Sequence, residues 1–500
     1  MAQWGVAANQ VPGECPETPL DDKPREACGV FGIYAPGANI SSLTYFGLFS
    51  LQHRGQESAG IAVSDGETIT AVKDLGLVAQ VFDERKLSPL QGHIAIGHTR
   101  YSTTGATTWE NSQPVYRSAG DCGFALAHNG NLTNTQELTE RVGLLPGTAT
   151  SDSDVVAAMI AQHHSGEATD GRALERALVK ILPELEGAFT FTLLDDSRLI
   201  GVRDPMGFRP LCLGRVEDGW VLASETCALD IIGAHLVREI EPGEMIVIDA
   251  QGVRTHKPFD KIEPRMCVFE FVYFARPDSQ LYGRSVYRVR HRMGELLAEQ
   301  SPAVADLVMP VPESGVAAAH GYSQTSGIPY GDGLVKNRYV GRTFIEPTQQ
   351  MRDHRIRMKL NPLRENIDGR RLVVIDDSIV RGSTTRQLVA ILREAGAEEV
   401  HVRITSPPYR WPCFFGMDTG RRSELLAADM SVGEICDYIG ADSLSYLDLD
   451  RMLEATGIPE QGFCTACLSG EYPVPIRGDL RKDILELDDA AEDTDEPASA

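Results

Sequence analysis

"RLVVIDDSIVRGSTT", Arg371–Thr385, decides the architecture of the second half of this chain. Leu372 to Ile375 are consecutive aliphatic residues, as expected of a strand buried on both faces. Asp376 and Asp377 stand at its carboxyl end, where open parallel sheets bind ligands. Arg381-Gly382-Ser383-Thr384-Thr385 then leads into a helix. Backbone N–H groups at a helix start take phosphate, and glycine lets the ligand come close. The hydroxyls of Ser383, Thr384 and Thr385 add hydrogen bonds, and the paired carboxylates suit ribose hydroxyls or Mg²⁺. No Gly-Lys-Ser/Thr is present, so this is not a Walker loop.

The neighbouring sequence repeats the same rhythm. "SVYRVRHRMGELLAEQ" is an amphipathic helix, and "ADLVMPVPESGVAAAHGYSQTSG" is a strand, a loop and a helix. "EEVHVRIT" supplies another strand, and the order predicts a parallel, doubly wound α/β sheet. "VPESG" from Val311 ends a strand and can approach the same ligand. "KNRYVGRTFIEPTQQMR" carries Lys336, Arg338, Arg342 and Arg352 with little apolar periodicity. It reads either as a basic surface loop or as a lid whose cations neutralise pyrophosphate and exclude water; the phosphate loop nearby favours the lid. The Arg371–Thr385 string resembles the phosphoribosyl pyrophosphate (PRPP) signature of type I phosphoribosyltransferases. That resemblance implies PRPP contacts at Lys336, Arg342, Asp376, Asp377, Arg381, Gly382, Ser383, Thr384 and Thr385. It also implies Mg²⁺ at Ser314, Asp376 and Asp377.

From Cys28 to about Lys257 the chain is strand-rich. "CGVFGIYA", "ESAGIAVSD", "TITAVKD", "HIAIGHTRYST", "FALAHNGNL", "AFTFTLLDD", "RLIGVRD" and "GWVLASET" are short apolar or alternating runs bounded by turn residues. "SDSDVVAAMIAQHH" and "GRALERALVKILPELEG" have helical spacing, so sheets covered by helices are expected. The predicted division is a leader at 1–27, a first domain at 28–257, a second at 258–477 and an acidic tail at 478–500.

Cys28 opens a strand behind a leader with no structural pattern. A thiol so placed is usually structural, but nearby motifs supply what glutamine hydrolysis needs. Arg100 in "GHTRYSTTG" can grip an α-carboxylate, and Asp154 in "SDSDV" can hold an α-ammonium. The Asn129 amide and Gly130 N–H of "HNGNL" can stabilise an oxyanion. Cys28 can attack the amide carbon. If residues 1–27 are a propeptide, its removal exposes an α-amine of pKa near 7.7–8.0 on the same residue as the thiol. His53, His98 and His128 are then expected to be packing residues rather than bases.

Together "CGVFGI", "QHRGQESAG", "GHTRYSTTG", "HNGNL" and "SDSDV" resemble the class II, N-terminal-nucleophile glutaminases. That fold is a four-layer αββα sandwich. Joined to "VVIDDSIVRGSTT", they resemble the amidophosphoribosyltransferases over roughly residues 28–475. The resemblance implies that ammonia released from glutamine passes through an internal tunnel and displaces pyrophosphate from PRPP. The product would be 5-phosphoribosylamine, the first committed intermediate of purine synthesis. It also implies inhibition by purine nucleotides and a homotetramer. Another class II amidotransferase, or a PRPP-sensing regulator, is disfavoured by the two motif sets occurring together.

Ten cysteines in 500 residues are too few for a disulfide scaffold. Cys464 and Cys467 form a C-x-x-C, which alone could be redox-active, bind zinc or be incidental. With Cys267 and Cys413 they match, position by position, the four ligands of the [4Fe-4S]-bearing branch of the family; four-cysteine zinc is the alternative. The net charge of −24 argues against nucleic-acid binding. No stretch approaches the roughly 18 apolar residues of a membrane span, and no secretory signal is present. A cytoplasmic enzyme is expected.

Overall fold

The computed structural model describes residues 28–101, 106–119, 122–145, 149–164, 172–337, 359–417, 419 and 421–476. The leader, the acidic tail, and Arg338, Arg342 and Arg352 lie outside the described residues.

Two antiparallel sheets build the first half. One has seven strands, with Gly29–Tyr34 between Gly219–Ala223 and Ile94–Arg100. The other has six and includes Cys122–Leu132 paired with Gly187–Leu194. Strand alternation sorts the side chains into layers. Val30, Ile94, Ile96 and Leu222 of the first sheet meet Ala125, Ala127, Leu199 and Ile246 of the second in one buried cluster. Phe31, Ile33 and Val63 face outward onto the helix Ile40–Ser50. Phe124, Phe189 and Phe191 face outward onto the helices Asp152–His163 and Ala173–Ile181. The result is the expected αββα sandwich. The sheets approach so closely that a Cβ on Gly32 would lie 2.8 Å from Leu199 Cδ1.

The last strand of the second sheet ends at His256. The second half holds a four-stranded parallel sheet, ordered Leu307–Pro310, Arg371–Asp376, Glu399–Ile404 and Ser443–Tyr446. Val308, Val373 and Ile375 face the helix Val286–Gln300. Met309, Leu372 and Val374 face Ser383–Glu394 and Val432–Ile439. Helices on both faces make the sheet doubly wound, as the apolar strand runs predict.

A further two-stranded parallel ladder, Met266–Cys267 with Phe463–Cys464, ties the end of the described chain back to the start of the second half. Several elements escaped the sequence reading. These include the helix Ile40–Ser50, the strands Val115–Ala119 and His235–Glu239, and a π-helical turn at Glu270–Phe274.

Candidate active sites

Antiparallel pairing sets Gly29 opposite Thr99, so Cys28 at the start of its strand meets Arg100 and Tyr101 at the end of the neighbouring one. Cys28 is buried; its Sγ donates to the Tyr101 carbonyl at 3.2 Å and accepts from the Tyr101 N–H at 3.4 Å. Burial pushes the thiol up to about 11, against the pull of the Tyr101 backbone and Arg100. The group is therefore a thiol at neutral pH and needs a base to act as a nucleophile.

Asn129 and Gly130 lie in the Cys122–Leu132 strand. Asn129 is fully buried, and neither its Nδ2 nor its Oδ1 has a hydrogen-bond partner. A buried amide left unsatisfied is costly, and this one is suited to meet substrate. Gly130 has φ +150°, and a Cβ there would lie 2.1 Å from the Ala188 carbonyl oxygen. Only glycine fits the position. Arg100 is buried, and its Nη1 donates to Ala106 O at 3.2 Å.

The two acids of "SDSDV" go to different sides. They are two residues apart on a helix, hence nearly opposite in direction. Asp154 does not join the Cys28 group; it stands 3.6 Å from Arg117, beside Lys73 and Trp109 in a surface cavity. Two carboxylates act on Cys28, Glu57 and, of the two acids in the motif, Asp152. Asp152 is buried, accepts from the Leu132 and Ser153 N–H groups, and lies 3.5 Å from His128 Nδ1.

The histidines are engaged in packing. Burial pushes His98 down to about 3, and its Nε2 is hydrogen-bonded to the His128 carbonyl. His128 bonds Ser153 and packs on Phe191. His53 pairs with Glu225 at 2.7 Å. Sequence reasoning assigned no role to Arg54, although it lies in the quoted "QHRGQESAG". Its fully buried guanidinium donates from Nε to the Cys28 carbonyl at 3.2 Å.

At the second site Asp376 and Asp377 are buried at the carboxyl end of the Arg371–Asp376 strand. Asp376 Oδ1 accepts from the Asp377 backbone N–H at 2.9 Å and from Ser314 Oγ at 3.5 Å. Ser378 Oγ donates to Asp377 Oδ2 at 2.7 Å. Gly382 is the N-cap of Ser383–Glu394 with φ +76°, and a Cβ there would meet Leu426 Cδ2 at 2.5 Å. Ser383, Thr384 and Thr385 form the first turn of that helix. Arg381 is held by Glu424 at 2.6 Å through Nη2, while its buried Nε and Nη1 have no partner. Lys336 ends a short strand, Leu334–Lys336, and is exposed.

Cys267, Cys464 and Cys467 are buried and Cys413 half-buried. Cys267 and Cys464 are register partners in the parallel ladder. The Cys467 carbonyl accepts from the N–H groups of Arg410 and Trp411. Cys413 acts on both Cys267 and Cys464, and Cys467 feels all three. Among the described residues, no three His, Cys, Asp or Glu side chains are placed to hold a single metal ion.

An αββα sandwich with a strand-initial thiol, joined to a doubly wound sheet with a phosphate loop, defines a two-domain glutamine-dependent phosphoribosyltransferase. Residues 98–230 match the glutamine amidotransferase domain and 282–405 the phosphoribosyl transferase domain. The chain is 54% identical over 491 residues to the amidophosphoribosyltransferase of Mycobacterium bovis, covering 95% of this chain and 92% of that one. It is 50% identical to that of Synechocystis, covering 93% and 95%. The structure of glutamine PRPP amidotransferase from B. subtilis, complexed with ADP and GMP, superposes with a TM-score of 0.85. It is 45% identical and covers 91% of this chain and 99% of that one. The chain belongs to the amidophosphoribosyltransferases. It transfers ammonia from glutamine to PRPP, giving 5-phosphoribosylamine, glutamate and pyrophosphate, the first committed step of purine synthesis.

Proposed function

We propose that Cys28 is the glutaminase nucleophile and that it acts as residue one, after removal of 1–27. The observation that carries this reading is the buried Cys28 thiol, hydrogen-bonded to the Tyr101 backbone and, among the described residues, to no histidine. The freed α-amine takes the thiol proton, and the thiolate attacks the amide carbon of glutamine. Asn129 Nδ2 and the Gly130 N–H receive the oxyanion. Collapse to the thioester expels ammonia, and water then releases glutamate. Arg100 holds the substrate α-carboxylate. Asp152 is better placed than Asp154 to hold the ammonium.

Ammonia then attacks C1 of PRPP, and pyrophosphate leaves. Gly382, Ser383, Thr384 and Thr385 would seat the 5-phosphate, and Asp376 and Asp377 the ribose. Lys336, Arg381 and Arg342 would neutralise phosphate charge. Ser314, Asp376 and Asp377 would hold Mg²⁺, which supplies charge neutralisation at the departing pyrophosphate.

Cys267, Cys413, Cys464 and Cys467 would hold a [4Fe-4S] cluster. Cysteine thiolates are the usual ligands of such a cluster, and the ladder that sets Cys267 beside Cys464 supports the reading, with four-cysteine zinc as the alternative. The cluster would be structural. Purine nucleotides would inhibit, as the complex of the B. subtilis relative with ADP and GMP suggests. Among the described residues no helix is long and apolar enough to cross a membrane, in keeping with a cytoplasmic enzyme, and a homotetramer is proposed from family likeness. Pyrophosphate release that requires both glutamine and PRPP tests the reaction. N-terminal sequencing of the active form tests the maturation: activity from a chain retaining 1–27 overturns it.

A further inference from the structure

We propose that Glu270, a residue of the second half, positions the Cys28 nucleophile of the first by holding Arg54 against the Cys28 carbonyl. The inference rests on the reading that Cys28 is the nucleophile.

Arg54 is fully buried, and its three nitrogens take three different partners. Nε donates to Cys28 O at 3.2 Å, Nη1 to Glu225 Oε1 at 2.5 Å and Nη2 to Glu270 Oε1 at 2.7 Å. A planar guanidinium with all three directions engaged cannot tilt without breaking a bond. The carbonyl it holds belongs to the residue that carries the thiol and, after maturation, the amine. Rotation of that residue moves both reacting groups, and a misplacement of about 1 Å can cost about a hundredfold in rate.

Glu225 comes from the same domain as Cys28, and it is itself fixed by His53, the Arg276 N–H and Ser279 Oγ. Glu270 comes from the π-helical turn that follows Cys267. Its Oε1 also accepts from Arg209 Nη1 at 3.1 Å, and Arg209 Nη2 reaches Phe415 O at 2.9 Å. The turn is clamped from the second domain by buried Arg290, which donates to Phe271 O at 2.7 Å and Ala275 O at 2.8 Å. Arg290 lies on Val286–Gln300, the helix packed on the sheet that carries Asp376. Glu270 Oε2 is buried without a partner. A buried carboxylate with an unmatched acceptor is a poor device for stability alone, but it does hold one geometry.

The test uses the mature enzyme with Glu270→Gln, which removes the charge at constant shape, and Glu270→Asp, which retracts it. Both variants should lose glutamine-dependent kcat by about tenfold or more, with KM for glutamine within about twofold, because the carboxylate grip is untouched. Synthesis from free ammonia should stay at the wild-type rate. Alkylation of Cys28 by a diazoketone analogue of glutamine should slow in step with kcat. Wild-type glutamine-dependent kcat in both variants overturns the proposal. So does a parallel loss of the glutamine- and ammonia-dependent rates, which marks a merely structural role. Peptide mapping of the alkylated wild type checks the underlying reading separately: label on a residue other than Cys28 removes the nucleophile assignment itself.

Discussion

At Cys28 the reacting atom and its environment are at odds. The strand start buries the thiol and carries its pKa up to about 11, yet the chemistry needs a thiolate near neutrality. In the uncleaved chain, alkylation by iodoacetamide should therefore be slow at pH 7 and rise about tenfold per pH unit toward that value, since only thiolate reacts. In the mature protein, the glutaminase rate should instead follow an amine titrating near 7.7–8.0. Mass-spectrometric labelling against pH checks the first and a pH–rate profile the second; identical profiles before and after cleavage would sink the amine-as-base reading. Asn129 carries the next prediction. Its amide is buried and unpartnered, so Asn129→Ala should lower glutamine-dependent kcat by about 10²–10³ with little change in KM, as for other oxyanion donors. A changed KM at constant kcat would make Asn129 a ground-state contact instead.

The strand–turn–helix Arg371–Glu394 shows why some elements were legible and others not. A run of aliphatic residues, two acids and a glycine followed by hydroxyls states a buried strand, a ligand edge and a phosphate-seating helix start. The structure places the buried strand, the two acids at its end and the helix start as read, with Gly382 at φ +76° where a side chain would strike Leu426. Replacing Asp376 and Asp377 together with Asn should raise the KM for PRPP by about ten- to a hundredfold per lost charge-assisted contact. Basal glutamine hydrolysis should remain measurable. Unchanged PRPP affinity would remove the assignment. The helix Ile40–Ser50 was hidden because its apolar residues ring the axis: Ile40 and Leu48 are buried while Phe46 and Phe49 are exposed, so no one-sided periodicity marks it. The edge strand His235–Glu239 is short and largely exposed, and lacks an apolar run. The motif "SDSDV" names both acids, but only helix phase turns Asp154 toward Arg117 and Asp152 toward Cys28 and His128. Arg54 and Glu270 are 216 residues apart, and no local pattern pairs an arginine with a carboxylate at such range.

Across the whole molecule the four cysteines sit where the halves are fastened together. Cys267 opens the second half and Cys464 returns the end of the described chain beside it. The segment around Cys413 also touches the glutaminase. Phe414 O accepts from Asn131 Nδ2 at 3.0 Å, Phe415 O accepts from Arg209, and Phe415 stacks on Phe208. Asn131 is next to Gly130 on the strand that carries the proposed oxyanion donors. A cluster held by these thiolates, as proposed, would therefore brace the glutaminase strand as well as the second half. Anaerobically purified enzyme should be brown and contain about four irons per chain, as one such cluster requires. Oxidative loss of iron should remove glutamine hydrolysis as well as synthesis from ammonia. Cys464→Ser should lose iron and fold poorly, because three thiolates and an open ladder remain. Iron analysis, absorbance and the two activities followed together in air check this sequence. A colourless, fully active protein, with zinc or with no metal, would show that the four thiols only pack.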